Sequence, residues 1–89
     1  MKEILIDCTA IKDRASFHEI LAQSMDFPEW YGRNLDALHD CMTDISAETV
    51  LRLFHWGAAE AILGSYGKAA AKVMEQADLE NPAFFVEFY

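Results

Sequence analysis

Three aspartates recur at intervals of four residues near the middle of this chain, at Asp36, Asp40 and Asp44. A spacing of four places side chains on one side of an α-helix, so a helix here would carry a stripe of carboxylates. The pair Trp30-Tyr31 stands shortly before them, between a proline and a glycine. Aromatic rings beside charged groups are typical of the energetic centres of protein interfaces. This segment is therefore the first candidate for a functional site.

Catalytic and metal chemistry have less support in the sequence. Carboxylates on one helix stripe present oxygens from a single side and leave most of a metal's coordination sphere empty. No Ser-His-Asp spacing, glycine-rich phosphate loop or H-E-x-x-H segment occurs. Cys8 and Cys41 lack a C-x-x-C pattern or a histidine at ligand spacing, so we expect reduced thiols, with Cys41 on a packed face. We predict no catalytic residues, no metal and no cofactor.

The charge of the chain is concentrated around the aspartate stripe. Seven Lys and Arg residues stand against 15 Asp and Glu residues among 89, for a net charge of −8. Between Asp26 and Glu48 there are six acids and one base, Arg33, so −5 of that charge lies in about a quarter of the chain. Affinity for nucleic acid comes from cations that replace phosphate counterions. The sequence therefore argues against direct nucleic-acid binding and predicts a cationic partner.

The length predicts one domain, residues 1–89, because chains of this size rarely divide. No stretch approaches the roughly 20 apolar residues of a membrane span. The start, "MKEILIDC", has neither the apolar segment nor the cleavage site of a signal peptide. We expect a cytoplasmic protein that does not associate with membranes.

Strands and helices that would position the aspartates alternate along the chain. The apolar run Ile4-Leu5-Ile6 predicts a first strand covered on both faces, and "TVLRLFHW" and "AFFVEFY" predict two more. Helical patterns cover about 16–25, 35–45, 58–63 and 68–79. Strands separated by helices favour crossover connections, so the predicted fold class is α/β, with a three-stranded, mainly parallel sheet and packed helices.

Residues that cap or end helices lie on both sides of the aromatic pair. Ser16 and Glu19 have the spacing of a capping box at the start of the first helix. Pro28 ends that helix, Gly32 can adopt positive φ, and Asn34 is a suitable N-cap for the next. Of Trp30 and Tyr31 we expect one to be buried and one partly exposed. Gly64 and Gly67 are interpreted as helix-end residues, and His18 and His55 have no identifiable partner.

The second helix separates apolar from polar residues more clearly than any other segment of the chain. Leu35, Leu38 and Met42 fall on one side, while His39, Thr43 and the three aspartates fall on the other. Like charges at i and i+4 cost about 0.2–0.5 kcal/mol per pair, and an acid at the C-terminus opposes the helix dipole. Such a stripe commonly only keeps a helix face solvated. The adjacent aromatic pair favours an interface instead.

The motif "FPEWYGRNLDALHDCMT", residues 27–43, resembles the barstar family, the intracellular inhibitors of secreted ribonucleases such as barnase. The rest of the chain is similar in its length, in a first strand beginning at residue 2 or 3, in His18 within the first helix, and in an alanine-rich last helix before a terminal strand. The resemblance implies a three-stranded parallel sheet with helices, in agreement with the pattern.

The resemblance also implies a mechanism, in which the second helix and the loop before it block the active site of the nuclease. Asp40 falls at the family position that replaces a substrate phosphate, and Asp36 at a second contacting acid. Trp30 stands in place of a tyrosine. The predicted partner-binding residues are Trp30, Tyr31, Asn34, Asp36, His39, Asp40, Thr43 and Asp44.

Several positions depart from the best-known family member. His39 stands in place of a tryptophan, and Asp44-Ile45 replaces a glycine-tryptophan pair. An acid of the family's last helix aligns near Gln76, so Glu75 or Glu80 is the candidate substitute.

The leading hypothesis is an intracellular inhibitor, an immunity protein or antitoxin, that blocks a basic barnase-like ribonuclease or related toxin nuclease with the acidic 27–45 loop and helix. The alternative is a non-inhibitory module that binds another basic protein through the same acidic face. A metal-dependent enzyme that uses the aspartate stripe is the third and weakest.

Overall fold

The computed structural model describes residues 1–89 and contains three strands and four α-helices. The elements are β1 (Lys2–Asp7), α1 (Arg14–Met25), α2 (Leu35–Thr43), β2 (Thr49–Phe54), α3 (Trp56–Leu63), α4 (Ser65–Glu80) and β3 (Phe84–Phe88), with a single 3-10 turn at Cys8–Ala10. The strands form one sheet in the order β1-β2-β3, and both pairings are parallel. The predicted α/β class with a three-stranded parallel sheet is confirmed.

One face of the sheet carries the core. Ile4 pairs with Leu51, which pairs with Val86, and this register aligns the apolar residues of all three strands. The buried cluster joins that face to residues from all four helices. The prediction that β1 is covered on both faces is wrong, because Leu5 points the other way and is 61% exposed. The helices pack on the face of Ile4, so the opposite face lacks a second layer.

Polar and aromatic contacts occupy that open face. The Arg52 Nε donates a hydrogen bond to Glu87 at 3.0 Å, and the same guanidinium pairs with Glu3 across the sheet. The rings of Phe54 and Tyr89 stack with centroids 5.0 Å apart. Since charged and aromatic groups tolerate water, the sheet can leave this face without a covering helix.

Helix α1 begins earlier than the sequence predicts. Its N-cap is Asp13, whose carboxylate accepts the Ser16 N–H at 2.7 Å while the Ser16 hydroxyl accepts the Asp13 N–H at 3.0 Å. The predicted box of Ser16 with Glu19 is therefore wrong. Glu19 instead pairs with Arg33 at 2.8 Å. The predicted cap of α2 is confirmed, since Asn34 Oδ1 accepts the Ala37 N–H at 2.8 Å.

Gly32 and Gly67 stand where a larger side chain would meet a close neighbour. Positive φ falls on Arg33 (54°), not on Gly32, where an added Cβ would lie 3.2 Å from both Ala37 Cβ and Asn34 Nδ2. Gly67 lies in the first turn of α4, and a Cβ there would come within 3.1 Å of the Glu60 Cα in α3. Gly64, with a φ of 63°, lies between α3 and α4, so both glycines are near helix ends as predicted.

Candidate functional site

Helix α2 is anchored to the rest of the molecule by its apolar side and by one amide. Leu38 and Met42 are fully buried, and the helix packs against α4. At its C-terminal end the Asn81 amide donates hydrogen bonds to the carbonyls of Met42 and Ile45, both at 2.9 Å. Carbonyls at a helix end have no partner within the helix. Asn81 thus fixes the element that carries the acids.

The opposite side of α2 presents its aspartates to water. Asp36, Asp40 and Asp44 are all exposed. No lysine or arginine nitrogen lies within 4.0 Å of any of their carboxylates. The side chain of Asp40 is 85% exposed, and its nearest basic atom is Nδ1 of His39 at 3.9 Å. The acidic face is therefore a fixed array of charges without neutralising partners.

His39 joins the acidic face to the end of α4. Its Nε2–H donates to the Glu80 carboxylate at 2.9 Å. Hydrogen bonds from Gln76 and from His39 lower the pKa of Glu80. The Thr43 hydroxyl donates to the His39 carbonyl at 2.8 Å. Of the two candidate acids of α4, Glu80 is thereby connected to α2, whereas Glu75 is exposed and makes no such contact.

The aromatic pair divides between core and surface. Trp30 is 81% exposed and Tyr31 only 5%, which confirms that one is buried and one exposed. The ring of Tyr31 packs on Phe27 with centroids 4.9 Å apart. Tyr31 therefore offers a partner almost no surface and instead fixes the loop from which Trp30 projects.

His18 forms a buried polar cluster beneath this loop. It is 1% exposed, and its Nδ1 and Nε2 lie 2.6 Å from the hydroxyls of Tyr31 and Tyr66 respectively. A neutral imidazole suits this arrangement, because one ring nitrogen donates while the other accepts. Burial, together with the charge of Arg33, lowers the pKa of His18. No local signal identifies these partners, which lie 13 and 48 residues away.

The structure separates the eight predicted partner-binding residues into neighbouring groups. Five line one groove between the 26–32 loop and α2: Trp30, Tyr31, Asp40, Thr43 and Asp44. Asn34 and Asp36 line a second pocket at the N-terminal end of α2, beside Arg14 and Tyr66. His39 lines neither and faces Glu80.

Metal-ligating side chains, the two thiols and the apolar character of the helices are the remaining features that bear on function. No group of three or more His, Cys, Asp or Glu residues is placed to hold a metal ion. Both cysteines are free, and burial raises the pKa of Cys8 to about 11. Cys41 is half-buried against the core, as predicted. None of the helices has the length and apolar character that crossing a membrane requires.

Comparison with known proteins identifies a matching family and a curated relative. The family model described as "Barstar (barnase inhibitor)" matches residues 1–88. A curated protein of Bacillus subtilis (strain 168), named "Putative ribonuclease inhibitor YrdF", is 37% identical over 83 residues, which cover 90% of this chain and 89% of that protein.

Proposed function

This chain belongs to the barstar family, and on that premise we propose that it is a ribonuclease inhibitor that covers the active site of its target with the acidic 27–45 loop and helix. The relative from Bacillus subtilis, which bears the name "Putative ribonuclease inhibitor YrdF", supports the first part of this proposal. The target class is a basic, barnase-like ribonuclease or a related toxin nuclease. The proposal gives the chain no catalytic step and places it in the cytoplasm, as an immunity protein or antitoxin.

The unpaired acidic face of α2 is the observation that carries the proposal. A ribonuclease binds a polyanion, so its active site presents cationic groups. Asp36, Asp40 and Asp44 hold carboxylates at fixed helical spacing, without lysine or arginine partners of their own. They therefore meet incoming cations without first breaking internal ion pairs. Asp40, central in the stripe, is the proposed substitute for a substrate phosphate.

Neighbouring groups complete the proposed interface. Trp30 supplies an exposed ring, which favours contact with an arginine or histidine of the enzyme. Asn34 and Thr43 lie on or beside the same helix, and His39 brings Glu80 alongside it. Tyr31 acts from the core, where it holds the loop in place.

An inhibition assay with the Asp40→Ala variant tests this function, with barnase as the probe ribonuclease. The Asp40 side chain makes no contact that the fold requires and is repelled by Asp36 and Asp44, so far-ultraviolet circular dichroism should stay unchanged and the urea midpoint should stay the same or rise slightly. Loss of one member of a desolvated charge pair costs about 2 kcal/mol or more, so the inhibition constant should rise at least about thirtyfold.

Glu48→Ala is the matched control, since it removes the same charge from an exposed position outside both pockets. The control should change inhibition by less than about threefold, because exposed charges act weakly at a distance. Equal effects of the two variants would remove Asp40 from the proposed role. Absence of inhibition by the parent chain would contradict a barnase-like target.

A further inference from the structure

The groove between the 26–32 loop and the C-terminal half of α2 has features that inhibition by Asp40 does not account for. Its volume is about 690 Å³, within the range of about 300–1,000 Å³ typical of ligand clefts. Met25 is buried, and Phe27 and Ile45 are half-buried along it. Three exposed acids also line it: Asp26, Asp40 and Asp44. The groove thus combines an apolar lining with carboxylates open to solvent.

Two helices end at this groove, and each ends on an acid. Asp26 is the C-cap of α1 and Asp44 the C-cap of α2. The C-terminus of a helix carries about half a negative charge, so an acid there opposes the dipole. No lysine, arginine or histidine lines the groove, and none pairs with Asp26 or Asp44. Dipoles and carboxylates therefore add to one strongly negative potential.

Asp26 is unfavourable for the backbone as well. Its φ of 57° and ψ of 46° are left-handed, the conformation in which a helix C-cap normally has glycine. Its carboxylate accepts no hydrogen bond in the structure that would offset this cost. Trp30, on the same groove, leaves 81% of its surface in water. Folding alone does not explain why these residues stand together.

We propose that this groove receives an arginine side chain of the partner ribonuclease. The aliphatic part of the arginine would lie on Met25 and Phe27, with the guanidinium against the Trp30 ring and the carboxylates of Asp26 and Asp44. A guanidinium fits better than an ammonium, because it is planar, stacks on aromatic rings and is less strongly hydrated. The inference rests on the proposed inhibitory function, but it adds a contact at the loop side of α2, apart from the cations that Asp40 is proposed to meet.

A nuclear magnetic resonance titration of the isotope-labelled chain with N-acetyl-arginine amide tests the groove without any ribonuclease. We expect shifts confined to the Trp30 indole and to the backbone amides of 25–32 and 40–45. N-acetyl-citrulline amide, which has nearly the same shape without the charge, should cause at most small shifts. The double variant Asp26→Asn/Asp44→Asn should bind the arginine probe about fivefold more weakly, as expected for two exposed charge contacts.

The double variant Glu29→Gln/Glu48→Gln is the matched control, because it removes two charges from outside the groove, one of them in the same loop. It should bind the arginine probe as the parent does. The proposal is overturned if the citrulline probe shifts the same signals equally, if both double variants bind alike, or if Mg²⁺ alone shifts the groove while the arginine probe does not. None of these outcomes depends on the inhibition assay. A failure of the arginine proposal can therefore be told apart from a failure of the proposed inhibitory function.

Discussion

His18, enclosed by two tyrosine hydroxyls, connects three elements at the level of single residues. It lies on α1, Tyr31 lies in the loop before α2, and Tyr66 lies on α4. Both ring nitrogens have partners, so one neutral imidazole satisfies the hydroxyl of buried Tyr31 and that of half-buried Tyr66. Protonation would give the ring two donors and place a charge in the core. The loop that presents Trp30 therefore depends on a neutral histidine.

The lowered pKa of His18 predicts that stability falls in mildly acidic solution. Because the folded protein holds this proton less tightly than the unfolded chain, the stabilisation is complete above the ordinary pKa of 6.5 and is lost as the pH falls below it. The free energy of unfolding should decrease as the pH falls below about 6.5, by at most about 1.4 kcal/mol per pH unit, until the folded protein also takes up the proton. Urea denaturation at a series of pH values measures it.

His18→Gln supplies the control, since it keeps groups able to hydrogen-bond while removing the titration. His39 and His55 are unchanged in both proteins, so the two profiles differ only through position 18. The variant should lose the steep decline, whatever its absolute stability. Parallel profiles for the two proteins would contradict a neutral, enclosed His18.

Exposed residues of the acidic face, in contrast to His18, lower the folding stability of the isolated chain. Asp36, Asp40 and Asp44 repel one another at i, i+4 spacing, and Trp30 leaves a large apolar ring in water. Each feature costs the isolated chain free energy, and each would be offset when a cationic surface covers it. Residues that oppose folding but suit one kind of partner are the expected pattern at a binding site.

At the scale of elements, α2 is short and depends on contacts at both of its ends. Nine residues in isolation do not form a stable helix in water. Asn34 caps the first turn, and Asn81 holds the last carbonyls from the end of α4. Between them Leu38 and Met42 pack into the core. The spacing of the carboxylates is thus a property of the tertiary fold.

Asn81→Ala should destabilise the protein by about 1–3 kcal/mol, because it leaves the carbonyls of Met42 and Ile45 without their donor. The end of α2 should then fray, and inhibition should weaken although no contact residue is changed. Urea unfolding gives the free energy, and hydrogen exchange at residues 40–45 reports the fraying. Gln23→Ala, an exposed amide on α1, should stay within about 0.5 kcal/mol of the parent. A neutral effect of Asn81→Ala would show that α2 does not need this anchor.

Periodicity and turn residues predicted most elements, but not where α1 begins. The sequence contains two overlapping capping patterns, Asp13 with Ser16 and Ser16 with Glu19. Both are chemically sound; the structure uses the first, and Glu19 pairs with Arg33 instead. Exposure of Leu5 was likewise not predictable, since it depends on which sheet face the helices cover.

The candidate site was predictable where it follows one helix and not where it joins distant segments. The division of α2 into apolar and acidic sides follows from spacing alone. The capping role of Asn34 follows from its place directly before the helix. The contacts of His18 with Tyr66, of His39 with Glu80 and of Asn81 with α2 span 39 to 48 residues. Nothing local specifies such pairs, because only the completed fold brings α4 beside α1 and α2.

At the scale of the whole molecule, the two faces differ in charge. The helical side carries the segment that holds −5 of the −8 charge, whereas on the open sheet face Arg52 is balanced by Glu3 and Glu87. A field so unevenly distributed orients an approaching basic protein toward α2.

Association should therefore slow as salt rises. Charges separated by more than about 8 Å are largely screened at physiological ionic strength, so steering is lost before direct contacts are. The association rate constant with barnase as the probe should fall about tenfold or more between low and high salt, with a smaller change in dissociation. Stopped-flow mixing measures both. An association rate that does not depend on salt would exclude steering by the acidic face.

The surface that a ribonuclease covers is the most direct test of the central claim. Backbone amide signals of the isotope-labelled chain, recorded before and after addition of unlabelled barnase, map that surface residue by residue. We predict shifts or broadening at 27–45, at the Trp30 indole and near Glu80, with Leu5, Phe54 and Tyr89 on the open sheet face unchanged. A footprint on the sheet face, with 36–44 unaffected, would contradict the account.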